Sequence, residues 1–153
     1  MQSPSNLVVH AVFSTKCRRP LLTPSNEHPL HEFWRRKALR LFCRVVAVGS
    51  SDDHAHLLLR MPPTESVSHV VGVLKGAASH HWNEHPLREC DLYWQEGFYA
   101  VSCNPADLGG LIHYVENQRQ HHGTGHIKSE LELPQPEAGR ATRAAPRRLP
   151  TGL

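Results

Sequence analysis

Cysteine is sparse in this sequence: Cys17, Cys43, Cys90 and Cys103 are scattered over 153 residues with no C-x-x-C pair. That excludes a disulfide-stapled scaffold and offers no zinc-finger spacing, so reduced thiols in packing positions are expected. Long apolar runs are also missing. Stretches such as residues 45–48 and 57–59 fall far short of the roughly 20 residues that cross a bilayer, so no membrane association is predicted. Ser3, Pro4, Ser5 and Asn6 interrupt the start of the chain, which therefore does not read as a secretory leader and predicts a cytoplasmic protein. Charge of one sign is scarce as well. The formal net charge is +3, but residues 1–122 carry 12 Lys and Arg against 11 Asp and Glu, so global charge argues only weakly for a nucleic-acid partner.

What remains is a chain with 39% hydrophobic residues, enough for one domain with a buried core. From Gly123 the composition turns to Gly, Pro, Ala and Arg, and Pro134, Pro136, Pro146 and Pro150 break any long element. Residues 1–122 are expected to form the domain and residues 123–153 a disordered tail. Alternation predicts strands over residues 7–15, 43–49, 54–61 and 93–102, with Gly97 as a bulge or bend. Helical spacing predicts helices over residues 29–41, over a stretch capped by Ser66 and reaching His81, and over 105–121 behind Asn104 and Pro105. The order β-α-β-β-α-β plus a C-terminal helix is the split βαβ arrangement of an α+β, ferredoxin-like antiparallel sheet. Two helices should cover one face, leaving the other for a ligand or for the extra helix.

Histidine is abundant, with 13 residues. His54 and His56 lie two apart on the third strand and so project from one face, a spacing that suits two ligands of one metal ion. About one such triplet is expected by chance at this His content, and the pair alone proves little. Tyr114 and Gln118 are four apart on the last helix and share a face. Each residue has a bland alternative: a half-buried aromatic for Tyr114, an exposed amide for Gln118. Taken together they describe a reaction. A tyrosine hydroxyl attacks a DNA phosphorus when a divalent ion, held by two neutral imidazoles and an amide oxygen, screens the phosphate charge. The phosphotyrosine link formed keeps the bond energy, so strands can be cut and rejoined without ATP.

At this point the residues resemble the single-tyrosine HUH transposases, which include the REP-associated tyrosine transposases and the transposases of the simplest insertion sequences. The markers are His10-Ala11-Val12-Phe13-Ser14-Thr15-Lys16 with Arg18-Arg19-Pro20, then Asp53-His54-Ala55-His56-Leu57-Leu58, Leu74-Lys75-Gly76, Trp94-Gln95-Glu96-Gly97, and Tyr114-Val115-Glu116-Asn117-Gln118 followed by His121-His122. The resemblance implies that His54, His56 and Gln118 bind Mg²⁺ or Mn²⁺ and that Tyr114 is the nucleophile joined to a 5′ phosphate. It also implies a single-stranded hairpin DNA as substrate and a possible homodimer. Lys16, Arg18 and Arg19 lie where a basic loop would hold the hairpin backbone, and His10 is either a contact beside the metal or phosphate or a structural histidine.

Two other readings of the same residues stay open. One is a catalytically inactive ferredoxin-like nucleic-acid-binding module; the other is a metal-dependent hydrolase that uses the His pair with water as attacker. The sequence also departs from the pattern. Gly109 and Gly110 precede Tyr114 inside its helix, each costing about 1 kcal/mol relative to Ala, and Phe42 stands where a Gly is expected to close the first helix.

Overall fold

The computed structural model describes residues 4–120, so the expected tail over 123–153, the boundary at residue 122 and the His121-His122 marker lie outside the described residues. Four strands form one sheet: β1 (Leu7–Ser14), β2 (Arg44–Ser50), β3 (His54–Met61) and β4 (Tyr99–Ser102), in the order β2-β3-β1-β4 with every neighbouring pair antiparallel. With α1 (Pro24–Arg40) between β1 and β2 and α2 (Val67–Asn83) between β3 and β4, this is the ferredoxin-like α+β arrangement. β1 and β3 pair along their whole length, from Leu7 opposite Met61 to Ser14 opposite His54.

Alternation puts Ala11 and Phe13 of β1 and Ala55, Leu57 and Leu59 of β3 on the face covered by α1 and α2. Trp34 of α1 is fully buried there and donates its indole N–H to the Leu74 carbonyl of α2 at 3.1 Å. Phe13 meets Trp34 and Trp94 edge-on, with ring centroids 5.7 and 4.9 Å apart. On the opposite face a second, smaller core forms. α3 (Leu108–Glu116) lays Val115 between Ala47 of β2 and Leu58 of β3, with Leu108, Leu111 and Ile112 around them. The face of β3 read as polar is therefore buried, and Arg60 is the exposed residue of that strand.

Three boundaries differ from the sequence reading. The first helix begins at Pro24, not residue 29, because Thr23 and Asn26 form a reciprocal capping box and Pro24 fills the first helical position; Pro29 sits inside the helix. The fourth strand is broken. Trp94 bridges to Thr15, but Gly97 then takes a positive φ of 81°, and Lys75 of α2 draws the carbonyls of Gln95 and Gly97 to 2.8 and 2.6 Å, so regular pairing starts at Tyr99. Lys75 is thus a tie between helix and loop.

The expected single helix over 105–121 is divided. Asn104 caps a 3-10 turn over Pro105–Asp107, α3 follows, and helical backbone resumes at residues 118–120 after a turn at Asn117. Asn117 donates to the His113 carbonyl at 2.7 Å, competing with the backbone for it. At the end of α1, Phe42 closes the helix in the left-handed region (φ 57°), where a side chain costs about 1–2 kcal/mol.

Candidate active site

Because directly paired residues share a face, the β1–β3 register places His54, His56 and Leu58 beside Ser14, Val12 and His10. His54, His56 and His10 are all buried on the side that α3 covers. His54 holds its Nδ1 2.7 Å from Asp53 Oδ1, so Nδ1–H donates to the carboxylate, which fixes the ring's tautomer and orientation. Asp53 in turn accepts from Arg18 Nε at 3.1 Å through its other oxygen. His56 Nδ1 and His10 Nε2 share a hydrogen bond at 2.9 Å with their rings stacked. His10 thus sits against His56 on the buried face, where its ring nitrogen bears on the orientation of the His56 imidazole.

Gly49 of β2 pairs with His56, on the same face. A Cβ there would lie 1.7 Å from the Val115 carbonyl oxygen and 3.1 Å from Gln118 Cγ, so the bare backbone lets the tyrosine-bearing helix descend onto the sheet beside His56. Tyr114 points down from α3 with its ring edge-on to His56, the centroids 6.2 Å apart. Gln118 donates from Nε2 to the Tyr114 carbonyl at 3.0 Å, which fixes its amide, and its Oε1 is buried without a hydrogen-bond partner.

A buried acceptor left in that state is costly unless something fills its place, and a cation does so. Among the described residues no three His, Cys, Asp or Glu side chains cluster to hold a metal ion. A metal here would rest on His54, His56 and the amide oxygen of Gln118, a donor set of imidazoles and a carbonyl-type oxygen that leaves positions open for water and substrate.

The segment after β1 is a strained turn. Cys17 and Arg18 both have left-handed φ, 56° and 54°, each costing roughly 1–3 kcal/mol that its surroundings must offset. They do so with several bonds. Thr15 Oγ1 donates to the Arg19 carbonyl at 2.6 Å, Lys16 N–H to the Tyr93 carbonyl at 2.9 Å, and Cys17 N–H to Gln95 Oε1 at 3.2 Å. The turn thereby presents Lys16, Arg18 and Arg19 at the surface. Only Arg18 is tied directly to the histidine cluster, through Asp53.

Several residues the sequence reading did not single out frame this site. Arg119 donates to Glu27 at 2.7 Å, to Asp52 at 2.6 Å and to the Leu22 carbonyl at 2.8 Å, fastening the residue after Gln118 to α1 and to the turn before His54. Glu27 also accepts from Ser50, which is hydrogen-bonded to His31. Burial pushes the His31 pKa down to about 4; Glu27 opposes that shift, while Arg35, His28 and Arg119 add to it. Unfolded, His31 takes up a proton near pH 6.5 and folded only near 4, so its stability contribution is complete above 6.5 and falls away between 6.5 and 4. The loss is on the order of 3 kcal/mol. A His31→Gln variant, compared with the parent by denaturant titration at stepped pH, should show a stability deficit that shrinks across this window; a constant deficit would contradict the assignment.

Among the described residues no helix is long and apolar enough to cross a membrane. In comparisons with known proteins, the chain is 28% identical over 141 residues to the transposase for insertion sequence element IS200 of Salmonella typhimurium, covering 86% of this chain and 87% of that protein. The same figures hold for its counterpart in Salmonella typhi. Among solved structures, a Deinococcus radiodurans protein assigned as a transposase superposes with a TM-score of 0.60 at 22% identity, covering 78% of this chain and 95% of that one. A REP-associated tyrosine transposase bound to a REP hairpin superposes with a TM-score of 0.58 at 17% identity, covering 80% and 72%. At these identities the two superpositions speak for the fold. The model of the IS200-like transposases matches residues 3–118, and with a match over most of its length the chain belongs to that family.

Proposed function

We propose that this transposase cuts and rejoins single-stranded hairpin DNA through a covalent link between Tyr114 and a 5′ phosphate, with Mg²⁺ or Mn²⁺ bound by His54, His56 and Gln118. The observation that carries the reading is the meeting of Tyr114 with His56, ring edge to ring face at 6.2 Å, within one polypeptide. Each copy of a homodimer would therefore hold a complete set of these residues. The hairpin as substrate is supported by the relative that binds one.

A divalent ion at this place supplies charge screening and polarisation of the phosphate. The protein supplies the rest. Asp53 and His10 each hold one imidazole by its Nδ1, which sets the orientation of His54 and His56 on the face that α3 covers. The Tyr114 phenol gives up its proton as its oxygen forms the new bond to phosphorus, the bond to the 3′ oxygen breaks, and that leaving oxygen takes up a proton to become the 3′ hydroxyl. The reverse step returns the phosphate to a 3′ hydroxyl and frees the phenol. Tyr114 is 2% exposed, so the strand reaches it only after the surroundings open. Gly109 and Gly110, with open space about them, are the compliant points of the helix that carries it.

The test is incubation of the protein with a labelled imperfect hairpin and Mg²⁺ or Mn²⁺, followed by denaturing electrophoresis and mass mapping of the nucleotide-bearing peptide. The expected result is an adduct mapped to Tyr114 that chelation of the metal abolishes. Cleavage with no adduct would instead indicate a hydrolase with water as attacker, and hairpin binding with no cleavage a silent binding module.

A further inference from the structure

Beside the strained turn lies a cavity of about 490 Å³ whose walls include Lys16, Arg19, Cys17, Cys90, Asp91 and Tyr93. It is separate from the histidine cluster, and the function proposed above does not use it. Three observations say what it accepts. Among the described residues neither Lys16 nor Arg19 has an ion-pair partner, whereas Arg18 between them is committed to Asp53. The one carboxylate in the wall, Asp91, is neutralised by Arg88 at 2.6 Å and meets the Tyr93 hydroxyl at 3.4 Å. Tyr93 is 54% exposed, although an aromatic of that size is normally covered in a chain that has a core to offer it.

An anion-seeking rim around an uncovered aromatic face is the chemistry that holds a single nucleotide: the cations take the phosphate and the ring takes the base. A duplex supplies phosphates but no exposed base face. We propose that this cavity seats one unpaired nucleotide of the DNA strand, its base laid on Tyr93 and its phosphate between Lys16 and Arg19. The proposal rests on the function proposed above only for the identity of the polymer. The turn links the two sites physically. Arg18 reaches Asp53 and through it His54, while its neighbours on either side line the cavity. A strand seated here is thus joined to the candidate reaction centre through a turn that the bonds of Thr15, Lys16 and Cys17 hold in place.

The two wall cysteines provide a readout that needs no substitution. Cys17 is an exposed free thiol and Cys90 a half-buried one, while the half-buried Cys103 does not line the cavity and serves as the internal reference. The full chain is alkylated with N-ethylmaleimide alone, with a short degenerate-sequence single strand, and with a blunt duplex of equal length, and modification is mapped by mass. Alkylation of Cys17 and Cys90 should slow about tenfold with the single strand and change little with the duplex. In parallel, Tyr93→Ala should weaken binding of the same single strand about tenfold, the loss of one base stack, while Tyr93→Phe, which keeps the ring, should stay within about twofold of the parent. Cys17 remaining fully reactive under saturating single strand, equal protection by duplex, absence of single-strand binding, or unchanged binding in Tyr93→Ala would each overturn the proposal. An adduct at Tyr114 with Cys17 unprotected removes the nucleotide seat alone. Protection of Cys17 without any adduct removes the catalytic reading alone.

Discussion

Tyr114→Phe is expected to eliminate the covalent protein–DNA adduct while the protein stays folded and still binds the hairpin. The substitution removes one oxygen and keeps the ring that meets His56 edge-on beneath α3. Loss of a single buried hydroxyl costs about 1 kcal/mol of stability, which thermal unfolding would register as a shift of a few degrees at most. The chemical effect is of another size. With no other nucleophile positioned, covalent-link formation should fall by at least about a thousandfold, to the detection limit of the gel. The variant also separates the mechanisms, because a water-attacking hydrolase would retain strand cleavage at close to parental rate.

Gly49→Ala should be nearly as damaging to the reaction although residue 49 takes no part in chemistry. The added methyl would meet the Val115 carbonyl oxygen at 1.7 Å and its carbon at 2.8 Å, both backbone atoms that cannot rotate aside, so α3 must lift from the sheet. Lifting it withdraws Val115 from Ala47 and Leu58, and Tyr114 and Gln118 from the neighbourhood of His56. Overpacking of this kind costs roughly 1–3 kcal/mol, and a misplacement of about 1 Å at a reacting group can cost on the order of a hundredfold in rate. The core between the sheet and α1 and α2 is a separate cluster, so circular dichroism should remain that of a folded protein. Gly72→Ala, in α2 with open space around it, is the matched control and should leave adduct formation unchanged. Parental melting temperature and adduct rate in Gly49→Ala would show that the close approach is not needed.

The sheet was legible in the sequence because its signal is local. The alternation of Ala55, Leu57, Leu59 and Met61 against His54, His56 and Leu58 gives both the limits of β3 and the shared face of the imidazoles. The start of α1 was missed because its cap uses Asn rather than Glu or Gln at the third helical position and because Pro29 stands inside the helix as a false beginning. The break in the fourth strand depends on Lys75, some twenty positions upstream, and no local pattern announces it. At the site, the neighbours of His54 in sequence were visible, but the role of Gly49 follows from where a helix more than sixty residues away comes to rest. The three anchors of Arg119 likewise exist only once α1, the β2–β3 turn and the end of the chain's described part have assembled.

The unbroken pairing of β1 with β3 sets what changes of length this chain can accept. His10, Val12 and Ser14 meet Leu58, His56 and His54 across eight consecutive partners, so a one-residue insertion or deletion within β3 would set His54 and His56 on the opposite face from Leu58, and one within β1 would part His10 from the face of Val12 and Ser14. Single-codon indels in these two segments should therefore act as null alleles even where the encoded composition is preserved. Residues 84–89, which follow α2, are exposed and lie outside the sheet, and it is there, ahead of the buried Leu92 and the Trp94 bridge, that gene copies differing in length can diverge and still fold.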